Sequence, residues 1–520
     1  MMTYTWLNVL EAYLAPRTGM ANSPSQTPTQ DRPAPLVNHV EHGFSSDVSG
    51  AGETTPLLRH AATSADGSAP ESKTKLFTPT NVFAIMASLG IVIAVAVLAL
   101  FSKSSDALAV EDGVGRLPIM GWNTWYAYMC EINETIVLDN AKLVKSLGLL
   151  DVGYNYINID DCYSEKQRDS DGNIVASKER FPSGMRNLTD QLHEMGFKAG
   201  IYSDSGWFTC QLYPGSYQNE DRDITLFSED WGFDLLKYDN CAVPFDEVIK
   251  EGMVGKYKRM SDAIERLRKR TGKSILYSLC QWGREQPWLW AKKLGQTWRT
   301  TDDTGSDWGH SVSILNQNSF YSWANDFYGY GDMDFLQVGN EGMTFEESKS
   351  HFTAWALMKS PLVISTDLTK ATEETITILK NKELIDIHQD SEIGTSISPF
   401  RWGINPDWTF NSTHPAQYWS GETSNGTVFM LLNVLDRPAD MFFSLTESPW
   451  IRAGRQYSVH DLWTHTENGT IVRNMTVRNV PPHGVVALLL KDAGDEPTGT
   501  PPPCARPEWC MDQNGTRIDQ

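Results

Sequence analysis

From Arg116 onward, short apolar runs alternate with amphipathic stretches, the patterning expected of repeated strand–helix units around a parallel sheet. The predicted strands are residues 119–122, 154–159, 198–202, 235–238, 275–279, 297–300, 335–338 and 362–365. Eight such runs predict a closed (β/α)8 TIM barrel over residues 113–395. Polar or aromatic residues gather where six of them end: Asn123 and Trp125, Asp160 and Asp161, Asp204, Asp239, Cys280 and Gln281, and Asp303. A single Asp after a strand would carry no weight, since Asp is also a common turn and N-cap residue. In a barrel, however, side chains at the C-terminal strand ends converge on one pocket, and the repetition is the signal.

After residue 395 the helical periodicity stops. Tyr418-Trp419, the runs 428–432, 441–444 and 485–490, and isolated valines at Val459 and Val472 are separated by Gly, Asn and Pro. This predicts a smaller antiparallel β-sandwich domain over residues 396–491, followed by a flexible tail at 492–520 in which Cys504 and Cys510 close a small loop.

At the other end, residues 1–80 are dominated by Ser, Thr, Pro, Gly and Ala and are expected to form a disordered arm. No charged residue occurs from 78 to 102, and residues 82–101 (VFAIMASLGIVIAVAVLALF) are long enough to cross a bilayer. Residues 81–102 are therefore expected to form one transmembrane helix. A cleaved signal peptide would lie at the very N-terminus with a shorter apolar core and a small-residue cleavage site. Lys73 and Lys75 precede the span against Lys103 after it, a slight bias toward a cytosolic arm.

Composition sharpens this topology. Seven Asn-x-Ser/Thr sites, at Asn133, Asn187, Asn411, Asn425, Asn468, Asn474 and Asn514, all follow the span, as do all seven cysteines. A single-pass type II protein with its catalytic region in a lumen or outside the cell is the expectation. Glu53-Thr54-Thr55-Pro56-Leu57-Leu58 in the arm has the form of an acidic dileucine sorting signal, which sets vacuolar or endosomal delivery beside display at the cell surface. The net charge of −21 and pI near 4.9 exclude a nucleic-acid partner, which would need a basic stripe.

The chemistry rests on two short stretches. In Leu236-Lys237-Tyr238-Asp239 a lysine and a carboxylate stand two residues apart on a strand, so both point the same way. In Trp298-Arg299-Thr300-Thr301-Asp302-Asp303 an arginine precedes a carboxylate. Two carboxylates with cationic escorts point to glycoside chemistry. The adjacent pair Asp160 and Asp161 could bind sugar hydroxyls or a metal, but no His-x-His, His-Glu-x-x-His or calcium-loop spacing accompanies it, so neither metal nor cofactor is expected. Cys280 reads as a small buried apolar residue rather than a catalytic thiol.

Five ordered motifs carry a resemblance: Met120-Gly121-Trp122-Asn123-Thr124-Trp125, Asn158-Ile159-Asp160-Asp161-Cys162, Gly200-Ile201-Tyr202-Ser203-Asp204, Lys237-Tyr238-Asp239-Asn240-Cys241 and Trp298-Arg299-Thr300-Thr301. Together they resemble the α-galactosidases of glycoside hydrolase family 27, over about residues 114–490 and more faintly in the β domain, where Asp461-Leu462-Trp463 is the matching stretch. The resemblance implies a retaining double displacement in which Asp239 attacks the anomeric carbon while Asp303 serves as acid and then base. Asp302 is the rival for that second role.

The resemblance further implies that Asp160, Asp161, Lys237 and Arg299 bind sugar hydroxyls and that Trp125 and Tyr202 form apolar walls. It pairs Cys130 with Cys162 and Cys210 with Cys241. Gln281 occupies the position that separates galactose from N-acetylgalactosamine, and its bulk favours an α-galactoside, with an α-N-acetylgalactosaminidase or a β-L-arabinopyranosidase of the same family as the alternatives. Lys237 beside Asp239 is expected to favour the charged carboxylate. The family's Trp-Asn-Asp-Pro-Asp-Met stands here as Tyr330-Gly331-Asp332-Met333-Asp334-Phe335, without its proline. A non-catalytic galactose-binding protein on the same fold, and transglycosylation, remain alternatives.

Overall fold

The computed structural model describes residues 113–242, 245–499, 511 and 514–516, with the backbone alone at 245–249. The arm, the span at 81–102, the dileucine sequence and the Cys504–Cys510 loop lie outside the described residues. Among the described residues no helix is long and apolar enough to cross a membrane.

Strands and helices alternate through the first part: β1 (Met120–Asn123), α1 (Glu134–Ser146), β2 (Tyr156–Ile159), α2 (Met185–Glu194), β3 (Lys198–Asp204), α3 (Glu220–Thr225), β4 (Leu235–Asp239), α4 (Phe245–Thr271), β5 (Leu276–Leu279), β6 (Thr297–Arg299), α5 (Trp308–Asn318), β7 (Tyr330–Asp332), α6 (Phe345–Leu357), β8 (Leu362–Ile364), α7 (Glu373–Leu379) and α8 (Lys382–His388). Two 3-10 turns, Pro287–Leu289 and Ala291–Lys293, replace the helix after β5. All neighbours run parallel in the order β7-β6-β5-β4-β3-β2-β1-β8. The remaining seam is closed by Leu336, which bridges Ile364 and donates its N–H to Val363 at 2.8 Å.

Seven of the eight predicted barrel strands coincide with observed ones, with ends shifted by one or two residues in either direction. The seventh does not. The apolar run at 335–338 attracted that prediction, but β7 is Tyr330–Asp332, and the later run supplies only the closing bridge. A three-residue strand ending in a carboxylate leaves almost no hydrophobic signature. Gly331 in its middle permits close packing, since a Cβ there would lie 2.9 Å from Thr300.

The β domain has a six-stranded antiparallel sheet, in the order β14-β13-β16-β11-β10-β9, facing a two-stranded β12–β15 sheet. Its strands are β9 (Ser398–Arg401), β10 (Tyr418–Thr423), β11 (Gly426–Leu432), β12 (Ala439–Ser444), β13 (Arg455–Asp461), β14 (Thr466–Val472), β15 (Asn474–Val480) and β16 (Val485–Asp495). Side-chain alternation assigns the two faces. Phe429, Leu431, Leu488 and Leu490 pack with Met441 and Phe443 of β12 inside the sandwich. Val428, Met430, Leu432 and Ala487 point the other way and join the barrel core. Polar ties reinforce that joint: Trp463 Nε1 donates to Thr353 at 3.0 Å and Asn381 Nδ2 to the Leu462 carbonyl at 2.9 Å.

Candidate active site

The same alternation builds the site. On β4, Leu236 and Tyr238 face the helical layer and enter the core, leaving Lys237 and Asp239 to face the barrel mouth. A cleft opens at the C-terminal strand ends, lined by Trp125, Asp160, Asp161, Tyr202, Lys237, Asp239, Arg299 and Asp303 among the sequence-predicted residues. Tyr126, Cys210, Cys280, Trp282, Asp334 and Phe335 complete the wall.

Asp239 is buried, with both oxygens directed. Oδ1 accepts from its neighbour's N–H, that of Asn240, at 2.9 Å, and Oδ2 from the Tyr202 hydroxyl at 3.0 Å. The expected escort is displaced: Lys237 Nζ donates to Asp160 Oδ2 at 2.7 Å, where Asn123 Nδ2 also donates at 2.9 Å. Burial raises the Asp239 carboxyl above the ordinary carboxylate range, and Lys237, though the strongest opposing influence, does not reverse it. Burial also opposes the charge on Lys237, but Asp160, Cys280 and Asp239 outweigh it and hold the ammonium protonated. The lysine head lies 5.0 Å from the Tyr202 ring and 4.9 Å from that of Phe335, which fixes it between two faces.

Asp161 accepts from the N–H groups of Cys162 at 2.7 Å and Gln211 at 2.9 Å, and burial pushes its carboxyl up to about 6. Arg299, 3% exposed, divides Nη2 between Asp303 Oδ1 at 3.0 Å and Asp334 Oδ2 at 3.1 Å. Asp303 is two-thirds exposed at the rim, while Asp302 lies outside the lining. Of the rivals for the second carboxylate role, only Asp303 faces the cleft.

Gln281 does not reach the cleft wall. It is fully buried, and among the described residues neither side-chain amide atom has a hydrogen-bond partner. Alternation explains this: Tyr277 and Leu279 of β5 face the core, which turns Cys280 inward and Gln281 away. Trp282, in a left-handed conformation at φ 64°, swings back to line the cleft in its place. Burial pushes the Cys280 thiol up, as expected of an unreactive buried sulfur.

Both implied disulfides are formed, Cys130–Cys162 beside Asp161 and Cys210–Cys241 two residues past Asp239 at the end of β4. Among the described residues, one grouping brings ligand-type atoms together, namely Asp204, Cys210, Asp239 and Cys241. Its two sulfurs are spent in the disulfide, so no thiolate is offered to a metal. None of the seven sequon asparagines is buried, and Asn133 caps α1 through Oδ1, with Ile136 N–H at 2.9 Å.

Comparison with known proteins decides the family. Residues 117–390 match the family described as α-galactosidase A, and residues 413–490 match the α-galactosidase C-terminal β-sandwich domain. The chain belongs to the α-galactosidase family. A probable α-galactosidase B of Aspergillus fumigatus is 40% identical over 441 residues, covering 76% of this chain and 97% of the relative. The solved α-galactosidase I of Mortierella vinacea is 33% identical with a TM-score of 0.67, covering 75% of this chain and 100% of that one. A Saccharomyces cerevisiae α-galactosidase solved with raffinose is 28% identical with a TM-score of 0.64, covering 73% and 99%.

Within this α-galactosidase, sequence reasoning missed Asp334 and Tyr126. Asp334 is buried at φ 74°, accepting from Tyr126 OH at 3.0 Å and Thr304 N–H at 2.9 Å while pairing with Arg299. Its signal is present in the Asp332-Met333-Asp334 motif, which begins at the last residue of β7.

Proposed function

We propose that this glycoside hydrolase removes terminal α-linked D-galactose with retention, using Asp239 as nucleophile and Asp303 as acid and then base. The observation that carries this reading is that the two carboxylates, 64 residues apart in sequence, line one cleft from different strands. Asp239 attacks the anomeric carbon through Oδ2 while the Asn240 N–H keeps Oδ1 in place. Asp303, at the open rim, lies where a leaving group exits, gives it a proton, and then takes one from the incoming water. The galactose 4- and 6-side hydroxyls need acceptors and donors in close array, which Asp160, Asp161 and Lys237 offer from neighbouring strand ends. Trp125 supplies the apolar wall.

Plain galactose as the sugar now rests on Trp282, whose ring fills the wall beside Cys280, rather than on Gln281. The division into arm, span, barrel, β domain and tail is part of the same reading, except that β16 carries the β domain on to Asp495, past the expected boundary at 491, because it pairs with β13 there. A lumenal or extracellular catalytic region held by residues 82–101 is supported by that uncharged run and by sequons that all follow it.

Azide separates the roles. The Asp239→Ala enzyme with azide is expected to yield β-galactosyl azide, because the anion enters from the face the nucleophile has vacated. The Asp303→Ala enzyme is expected to yield α-galactosyl azide by intercepting the covalent intermediate. Interchanged products would exchange the assignments, and no azide product from either would remove them.

A further inference from the structure

Outside the cleft lining lies a cation that the reaction as described does not use. Lys256 of α4 is 4% exposed, and its ammonium donates to the Asn240 side-chain oxygen. Among the described residues it makes no ion pair with a carboxylate within 4 Å. A buried, unpaired ammonium is costly, so its retention calls for a charge that it serves at slightly longer range.

Two such charges are adjacent. Asp204 and Asp239 are register partners at the ends of β3 and β4, with oxygens within 4.8 Å of each other. Asp204 is wholly buried and accepts from the N–H groups of Gly206 at 2.6 Å and Cys241 at 2.8 Å. Like charges this close oppose each other's ionisation. Lys237 cannot neutralise both, because it is committed to Asp160. The groups acting on Lys256 are Asp204 and Asp239, which stabilise its charge, and Arg284 after β5, which opposes it; its own neighbour Tyr257 presents a ring at 5.3 Å. Burial is the largest influence on that ammonium and brings it down to about 8, still protonated in acid.

We propose that Lys256 is a positioning residue for the nucleophile: through Asn240 it aims the strand end that carries Asp239, and its charge offsets the facing Asp204 and Asp239 carboxylates. The inference rests on Asp239 being the nucleophile. Asn240 is the mechanical link, since its N–H holds Asp239 Oδ1 while its side chain holds Lys256. Removing the charge should make Asp239 harder to ionise and leave the sugar contacts in place.

The test is the acid limb of kcat/KM for an aryl α-galactoside, followed from about pH 3 to pH 8 on the full-length protein, since that limb reports ionisation in the free enzyme. Lys256→Met is expected to move the limb upward by about one unit, a roughly tenfold loss on the limb with the plateau largely recovered. Lys256→Arg should restore the limb to its original position. Asn240→Ala should shift it in the same direction by less, and serves as the test if Lys256→Met does not fold. A limb that stays in place, or a loss equal at every pH, overturns the proposal. Failure of the nucleophile assignment itself would show separately, as absence of β-galactosyl azide from Asp239→Ala.

Discussion

At the barrel mouth, Lys237 and Arg299 are buried against Asp160 and Asp334, with carboxylate oxygens at 2.7 and 3.1 Å. At the joint between barrel and β domain, His460 lies between Glu383 of α8 at 2.8 Å and Glu467 of β14 at 2.9 Å. His483 lies between Glu347 of α6 at 2.6 Å and Asp436 at 2.9 Å. The outer carboxylates of the joint, Glu467 and Asp436, are 71% and 97% exposed, so water screens these pairs and each contributes little. The Lys237–Asp160 and Arg299–Asp334 pairs at the mouth lack that screening. The mouth's carboxylates Asp161 and Asp239 are pushed up by burial, a standing cost to the fold that only chemistry at the cleft repays.

The sharpest way to break this contrast is to remove a charge at the mouth. Asp239→Asn should lower kcat on the order of 10⁴-fold while leaving the melting temperature at pH 7 unchanged or higher, because a neutral amide escapes the burial cost. Calorimetry beside an activity assay checks both halves, and a large fall in melting temperature would make Asp239 structural. Asp303→Asn should lose less activity on an activated aryl galactoside than on an unactivated one, since a good leaving group needs little proton donation.

Next in size is the Cys210–Cys241 crosslink, which ties the loop after β3 to the Asp239 strand end across a separation of 31 residues. Replacing both by Ser should cost about 3 to 4 kcal/mol by chain entropy, read by denaturant unfolding, with activity falling as the loop loosens. A change below 1 kcal/mol would mean the loop is held by its hydrogen bonds alone.

Acidity acts on the same contrast. Burial lifts Asp161 and Asp332 to about 6, so each contributes stability that is fully present below its unfolded value of 3.8 and lost as pH rises through about 6. At Asp367 burial pushes upward, but hydrogen bonds from Thr369, Tyr128 and Lys370 prevail and hold it at about 2, so its contribution is lost as pH falls from 3.8 toward 2. His460, by contrast with Asp367, is raised: partial burial opposes its charge but Glu383 and Glu467 prevail, so its contribution is present below its ordinary value and is lost as pH rises above it. Buried His351 and His388, brought down to about 3 by burial, act the other way, since their contribution is fully present above 6.5 and is lost as pH falls toward 3, so thermal unfolding across the pH range should show a maximum between about pH 5 and 6.5. A maximum at or above pH 7 would contradict these shifts.

The smallest effect belongs to the joint. His460→Gln should cost roughly 0.5 to 1 kcal/mol and leave kcat unchanged. A larger loss would mean that the joint, too, holds unscreened charge.

Much of this division was legible in the sequence. The two-residue period of β4 places Lys237 and Asp239 on one face, and strand-end carboxylates on β2, β4 and after β6 meet because barrel topology makes them meet. The same period, applied to β5, would have turned Gln281 away once Cys280 was placed inward. Other features leave no periodic trace. β7 is three residues long, Asp334 depends on a left-handed backbone, and Lys237 selects Asp160 over the nearer-in-sequence Asp239 through three-dimensional reach. Lys256 sits within an amphipathic helix whose pattern gives no sign that it serves a strand end.

The most direct measurement is proton NMR of an aryl α-galactoside during the first turnovers of the full-length enzyme. The account predicts that α-galactose appears first and mutarotates later to the equilibrium mixture, with no comparable turnover of the N-acetylgalactosaminide. First-formed β-galactose, or no turnover of any α-galactoside, would contradict it.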